Sequence, residues 1–266
     1  MKSRWKAACA ALALFASMTM PVLGAAVEAD GVLLPEEQAW VENGISYMTL
    51  RTLEELTGYE LSWTGDRARM QGEELELNAR PGALYIEVND RALYVEEGVQ
   101  VRDGAMYLPL RVVAQATGGL LTWDEEERVA RLCLLDARPA LANYNSEDLE
   151  WLARVISAES RGEPLEGQIA VGNVVLNRVR HKNYPNTVKE VVFDRNYGVQ
   201  FEPTENGTIY HEPTALSIIA AKLCLEGANV VEDCIYFFAP ALSSGSWIVK
   251  NADFFKSIGC HRFYKE

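Results

Sequence analysis

Glu159 is the residue of this chain whose type and placement best suit acid–base chemistry. It follows Leu149, Leu152, Val155 and Ile156, which recur at the spacing of one buried helical stripe, and it continues that stripe three residues after Ile156. Asn145 or Ser146 suits the N-cap, Glu147 and Asp148 suit the positive end of the helix dipole, and Gly162 with Pro164 ends one helix and opens the next. A carboxyl on the apolar face at a helix C-terminus meets low dielectric and the negative end of the dipole. Both disfavour its charged form, so its pKa should rise and it should keep a proton near neutrality. Such a group can hand a proton to a leaving oxygen. Periodicity alone does not distinguish it from an ordinary solvated Glu at a helix end, which is the commoner case.

The elements that must position it make a mainly helical half. After the Glu159 helix, the pattern predicts a helix over Leu165–Val179, a loop around Tyr184-Pro185-Asn186 and a short helix over Val188–Phe193. A Gly- and Asn-rich passage through Gln200, a helix over Pro213–Leu225 and a short strand over Cys234–Phe238 follow. Alternation on that strand sends Ile235 and Phe237 inward and leaves Tyr236 free to present its hydroxyl, while Trp247 could stack on a ring. Asn173 and Asn177 lie one turn apart, facing either a cleft or solvent.

Several ordered motifs here resemble the SleB/CwlJ cell wall hydrolase family: Ala158-Glu159-Ser160-Arg161-Gly162-Glu163-Pro164, the Glu166-Gly-Gln-Ile-Ala-Val-Gly172 run, Val175-Leu176-Asn177-Arg178-Val179, Gln200-Phe201 and Ile258-Gly259-Cys260-His261-Arg262-Phe263-Tyr264. The resemblance implies a lysozyme-like lytic transglycosylase fold and peptidoglycan glycan strands as the partner. In that chemistry one Glu protonates the oxygen bridging muramic acid and glucosamine, then acts as base while the sugar's C6 hydroxyl closes a 1,6-anhydro ring. Glu159 matches that Glu. Gln200 and Phe201 match the Gln-Phe motif, where the amide could bond a sugar or hold the Glu and the ring could anchor the loop. The expected site is therefore catalytic Glu159, with Gln200, Phe201, Tyr236 and Trp247 toward substrate.

Glycosidases usually need a second carboxylate, and Glu202 is the candidate if the chain is instead a muramidase-type hydrolase. His261 is read as structural, holding a loop by hydrogen bonds, and His181 and His211 as exposed loop residues. No His-Glu-x-x-His motif or tight metal-ligand spacing occurs, no Gly-x-Ser-x-Gly motif occurs, and no cofactor is expected.

The N-terminal half has a different grammar. At an offset of sixty residues, Gly44, Tyr47, Leu50-Arg51, Thr57-Gly58, Leu61 and Trp63 match Gly104, Tyr107, Leu110-Arg111, Thr117-Gly118, Leu121 and Trp123. Each unit reads as a turn, an extended edge, a short helix stopping at Thr-Gly, and a Trp-bearing strand. Between them, Asn89-Asp90 should turn a hairpin. The aromatic positions are expected in the core rather than as a glycan-stacking surface. The second unit, from Asp103 to Gly118 with Trp123-Asp124, resembles the copper amine oxidase N-terminal-like domain of exported bacterial proteins. Copper is not implied, because this half holds no His.

The fold class expected is α+β: a small repeat-built α+β stalk domain over 30–136, a linker over 137–145, and a mainly helical lysozyme-like domain over 146–266. Before them, Lys2, Arg4 and Lys6, the apolar run Ala7–Met20 and the small residues Gly24, Ala25 and Ala26 read as a signal peptide over 1–24, and no later stretch is apolar enough to span a bilayer. The net charge of −13 argues against nucleic acid and anionic membrane surfaces. Cys133, Cys224, Cys234 and Cys260 admit three complete pairings or free thiols. The alternative of another class is a non-catalytic protein that docks on glycan.

Overall fold

The structure is a computed structural model describing residues 25–196 and 198–266. The signal peptide expected over 1–24 lies outside the described residues. Among those described, no helix is long and apolar enough to cross a membrane.

The first half runs β1 (Ala26–Ala29), β2 (Val32–Leu33), β3 (Ala39–Glu42), β4 (Ile45–Thr49), α1 (Leu50–Thr57), β5 (Glu60–Thr64), β6 (Arg67–Gln71), β7 (Glu76–Ala79), β8 (Tyr85–Val88), β9 (Arg91–Tyr94), β10 (Gln100–Arg102), β11 (Ala105–Pro109), α2 (Leu110–Thr117), β12 (Leu120–Asp124) and β13 (Val129–Cys133). The repeat is real in three dimensions. Units β4–α1–β5 and β11–α2–β12 are offset by sixty residues and pair through their first strands, antiparallel, with Leu108 opposite Met48. Each is entered by a left-handed turn, at Asn43-Gly44 and Asp103-Gly104, and each helix is stopped by a glycine at positive φ, Gly58 at 70° and Gly118 at 75°. The preceding threonines bond back to the fourth carbonyl before them, Thr57 to Leu53 and Thr117 to Val113. The start of the helix differs: Thr49 caps α1 by accepting the Thr52 N–H, whereas Pro109 has no side chain to offer α2.

The aromatic expectation divides. Tyr47 and Tyr107 are buried with Trp40 in an edge-to-face cluster, but Trp63 and Trp123 are 55% and 48% exposed. The correction has a simple cause: β5 and β12 are edge strands of their sheets, and neither strand has a buried residue.

The second half runs α3 (Ser146–Ser160), α4 (Leu165–Arg180), α5 (Val188–Val192), α6 (Pro203–Asn206), a 3₁₀ turn at Thr208–Tyr210, α7 (Ala215–Leu225), β14 (Tyr236–Phe238), α8 (Ser246–Asn251), β15 (Asp253–Ile258) and β16 (His261–Lys265). Helices α3, α4 and α7 form its centre. They meet closely at Gly172, where a Cβ would lie 2.7 Å from Cys224 Sγ and 2.8 Å from Ile156 Cδ1. The half is less purely helical than its periodicity suggests. A three-stranded sheet, ordered β14-β16-β15, closes it, because Phe263 at 0% and Ile258 at 7% exposure alternate inward beside Val174 of α4. All four described cysteines are free.

The N-terminal unit does not stand apart as a stalk. Ala92 of β9 belongs to the same apolar cluster as α3, α4 and α7, with Tyr85 and Tyr94 packed against it.

Candidate active site

Helix α3 places Glu159. Asn145 caps it, its side chain accepting the Asp148 N–H at 2.7 Å, and Leu152, Val155 and Ile156 drive one face into the core. Three residues on, Glu159 stands at the edge of that face, partly buried, in the last turn. The end of the helix is held by Ser160, whose hydroxyl donates to the Ile156 carbonyl at 2.7 Å, and by Ser157, whose hydroxyl accepts the Thr214 N–H. Burial pushes the Glu159 carboxyl up to about 7, the negative charge of Glu202 adds to the rise, and Arg178 opposes it. Near neutral pH both the protonated and the charged form of the group are therefore within reach. It is poised to give and to take a proton.

Arg178 was visible in the sequence only as part of a motif. It is a guanidinium 5% exposed, on a helix that is apolar nearly all round. Its Nε–H donates to the Ile235 carbonyl at 2.8 Å, and its charge lies 5.2 Å from the ring centroids of both Tyr184 and Phe201. Nη1 is buried without a hydrogen-bond partner. Burial lowers its pKa against the opposing effects of Tyr184, Tyr236, Asp194 and Glu159. Burial likewise pushes the Tyr184 hydroxyl up to about 12, with Arg178 opposing and Tyr236 adding. One signal could have found Arg178: it is a cation spaced to fall on a buried face of α4.

Tyr236 is half-buried on β14, and Trp247, 59% exposed on α8, meets it edge-on at 5.6 Å. Glu202 is exposed and within electrostatic reach of Glu159. Gln200 is partly exposed, but its Nε2 donates to the Gly198 carbonyl at 3.1 Å, so its amide holds its own loop. Phe201, expected toward substrate or as the anchor of its loop, is 1% exposed and packs against Arg178 and 6.4 Å from Phe237, the arrangement of a loop anchor. Phe238 is buried as well, stacked on Tyr264 at 5.7 Å, so strand alternation predicts this segment incompletely.

Asn173 and Asn177 face neither cleft nor open solvent. The first donates to the Ala228 carbonyl and accepts the Val230 N–H, the second donates to the Glu232 and Cys234 carbonyls, and together they bind the chain leading to β14 onto α4. His181 meets Glu266 at 2.9 Å, and His211 is exposed. His261 is buried, and its Nδ1 has no hydrogen-bond partner but lies 4.0 Å from Glu163 Oε1, so this carboxylate and edge-on packing against Phe237 at 5.3 Å hold it in place of the hydrogen bonds expected.

Among the described residues, no group of three or more His, Cys, Asp and Glu side chains is arranged to hold a metal ion. The N-terminal unit offers copper a poor donor set, since it has no His and its methionines Met48, Met70 and Met106 are buried in its core. A cavity of about 740 Å³ lies away from Glu159, between the two halves, bordered by Tyr94, Glu97, Trp123 and Asn229.

Comparison with known proteins agrees with both halves. Residues 162–264 match the Cell Wall Hydrolase profile and residues 28–132 the copper amine oxidase N-terminal domain. The chain is 34% identical to a spore cortex-lytic enzyme of Bacillus cereus over 122 residues, 46% of each protein. It is 33% identical over 107 residues to the cell wall hydrolase CwlJ of Halalkalibacterium halodurans, which covers 38% of this chain and 73% of that protein. It thus spans less than half the length of the spore cortex-lytic enzymes it matches. Among solved structures, the catalytic domain of the germination-specific lytic transglycosylase SleB from Bacillus anthracis aligns with TM-score 0.43 and 33% identity, covering 47% of this chain and all of that one. With the greater part of CwlJ matched at this identity, the chain belongs to the cell wall hydrolase family.

Proposed function

We propose that this chain is an exported enzyme that cleaves the glycosidic bond between N-acetylmuramic acid and N-acetylglucosamine in peptidoglycan, as a lytic transglycosylase. The observation that carries the proposal is the Glu159 carboxyl, desolvated at the end of α3 and pushed up to about 7. In its protonated form Glu159 donates to the bridging oxygen as the bond to C1 breaks. As carboxylate it then takes the proton of the C6 hydroxyl, whose oxygen attacks C1 and closes the 1,6-anhydro ring. Arg178 stabilises the carboxylate between the two steps by its charge, and Trp247 with Tyr236 offers a surface for a ring. The Lys2–Lys6 and Ala7–Met20 segments support export. The names of the relatives support spore cortex as the wall attacked.

A second reading is favoured by Glu202, whose charge reaches Glu159. There it activates a water and the product keeps a reducing muramic end. Mass spectrometry of fragments released from purified cortex and vegetative peptidoglycan by the wild type and by Glu159→Gln tests both. Anhydro-muramic ends that vanish in the variant are expected. Reducing ends would replace the transglycosylase with the hydrolase, and no release from either wall would leave a glycan-binding protein.

A further inference from the structure

Four residues beyond Glu159, the α3–α4 turn carries a second carboxylate that the chemistry above does not use. The Glu163 side chain is nearly buried, and its Oε2 accepts the backbone N–H of Cys260 at 2.9 Å, bridging 97 residues of sequence. The same carboxylate also acts on the Cys260 thiol and holds its pKa above its usual value. The seat is shaped for Glu163. Gly259, at φ +56°, leaves the space its Oε2 fills, since a Cβ there would fall on that oxygen, and a Cβ on Gly167 would lie 2.9 Å from Glu163 Cβ. The Glu163 carbonyl accepts the Gln168 amide at 3.0 Å, fixing the turn from its other side.

Cys260 is in the turn between β15 and β16. Strand β16 pairs directly with β14, setting Tyr264 opposite Tyr236, and its first residue, His261, packs edge-on to Phe237. The bond from Glu163 therefore joins the turn that follows the Glu159 helix to the sheet bearing Tyr236, and the buried Arg178 feels the charge of both Glu159 and Tyr236. We propose that Glu163 is a positioning residue, a strap between the α3–α4 turn and the β15–β16 turn that sets Glu159 against Tyr236. This rests on the glycosidic reading, in which a proton donor must meet its oxygen within hydrogen-bond reach.

The test compares Glu163→Ala, Glu163→Gln and Glu159→Gln in the full chain. Initial rates are measured over a range of peptidoglycan concentrations, beside far-UV circular dichroism and amide exchange at Cys260 by NMR. Glu163→Ala should lower kcat about tenfold or more with KM little changed, because small misplacements of a catalytic group are costly in rate. It should also release the Cys260 amide to exchange. Glu163→Gln keeps an oxygen for that amide and should recover most of the rate and the protection.

Wild-type kcat in Glu163→Ala, or an equal loss in both variants, would overturn the proposal. So would a Cys260 amide that exchanges freely in the wild type, whatever the enzyme does. Failure of the glycosidic reading looks different: Glu159→Gln would then match the wild type in every activity measurement.

Discussion

Arg91 and Glu226, 135 residues apart, form a two-pronged ion pair across the two halves of the chain, Nε to Oε1 at 2.8 Å and Nη2 to Oε2 at 2.7 Å. Both side chains are close to buried, and Arg91 Nη1 also donates to the carbonyls of Gln115 and Ala140. Lys222 reaches the Asp90 carbonyl one turn of α7 earlier, so the tip of the β8–β9 hairpin is clasped along that helix.

The clasp predicts that the halves unfold together. Arg91→Ala leaves the Glu226 carboxylate without its partner in a desolvated place, which should cost about 3 kcal/mol. In urea the wild type should show one transition, whether followed by Trp fluorescence or far-UV dichroism, and the variant two. The paired replacement Arg91→Met with Glu226→Met should restore most of the loss. Separate transitions in the wild type would show that the interface couples nothing.

Glu159 predicts the alkaline limb of the pH–rate profile. The donor must carry its proton, so activity should fall as pH rises through about 7. Glu202 holds that pKa up by its charge, so Glu202→Gln should move the limb to lower pH without abolishing activity. If Glu202 were instead the base of a hydrolase, the same variant would lose nearly all turnover while Glu159→Gln did likewise, and the two outcomes are read in one experiment.

The same pKa predicts an effect on stability. Folding raises the Glu159 pKa from the ordinary carboxyl range to about 7, so the folded state binds the proton more tightly. Below about pH 4 both states are protonated and the contribution is fully present. As pH rises toward 7 the unfolded chain ionises first, and on the order of 2–3 kcal/mol is lost by pH 8. Glu159→Gln does not titrate, so its stability advantage over wild type should grow across that window. Equal urea midpoints for the two proteins from pH 4 to pH 8 would rule out the raised pKa.

Much of this site was legible because it is local. The stripe from Leu149 to Ile156 fixes where Glu159 points, and Asn145, Gly162 and Pro164 mark the helix ends within a few residues. The sixty-residue repeat was legible for a related reason, since Thr-Gly at 57–58 and 117–118 ends each helix by its own backbone chemistry. What was not legible depends on contacts distant in sequence. Nothing local says that Glu163 meets Cys260, that Arg178 lies between Tyr184 and Phe201, or that Asn173 and Asn177 bond the chain at 228–234. Trp63 and Trp123 show the remaining gap: their alternation with apolar neighbours is that of a buried strand, but whether a strand lies at a sheet edge is a property of topology.

Trp247 separates binding from folding. Helix α8 buries none of its residues, and the Trp247 indole contributes mainly its edge-on contact with Tyr236. Trp247→Ala should therefore change unfolding free energy by less than about 0.5 kcal/mol, as surface substitutions do. Its loss as a stacking surface should weaken glycan binding by about 1 kcal/mol, roughly fivefold in Kd. The measurement is co-sedimentation with insoluble peptidoglycan in a Glu159→Gln background, so that the wall is not consumed. A Tyr236→Phe change in the same background keeps the aromatic contact and should leave binding near its starting value, which tests the ring rather than the hydroxyl. Unchanged sedimentation of Trp247→Ala would place the glycan on a face other than the one Trp247 and Tyr236 form.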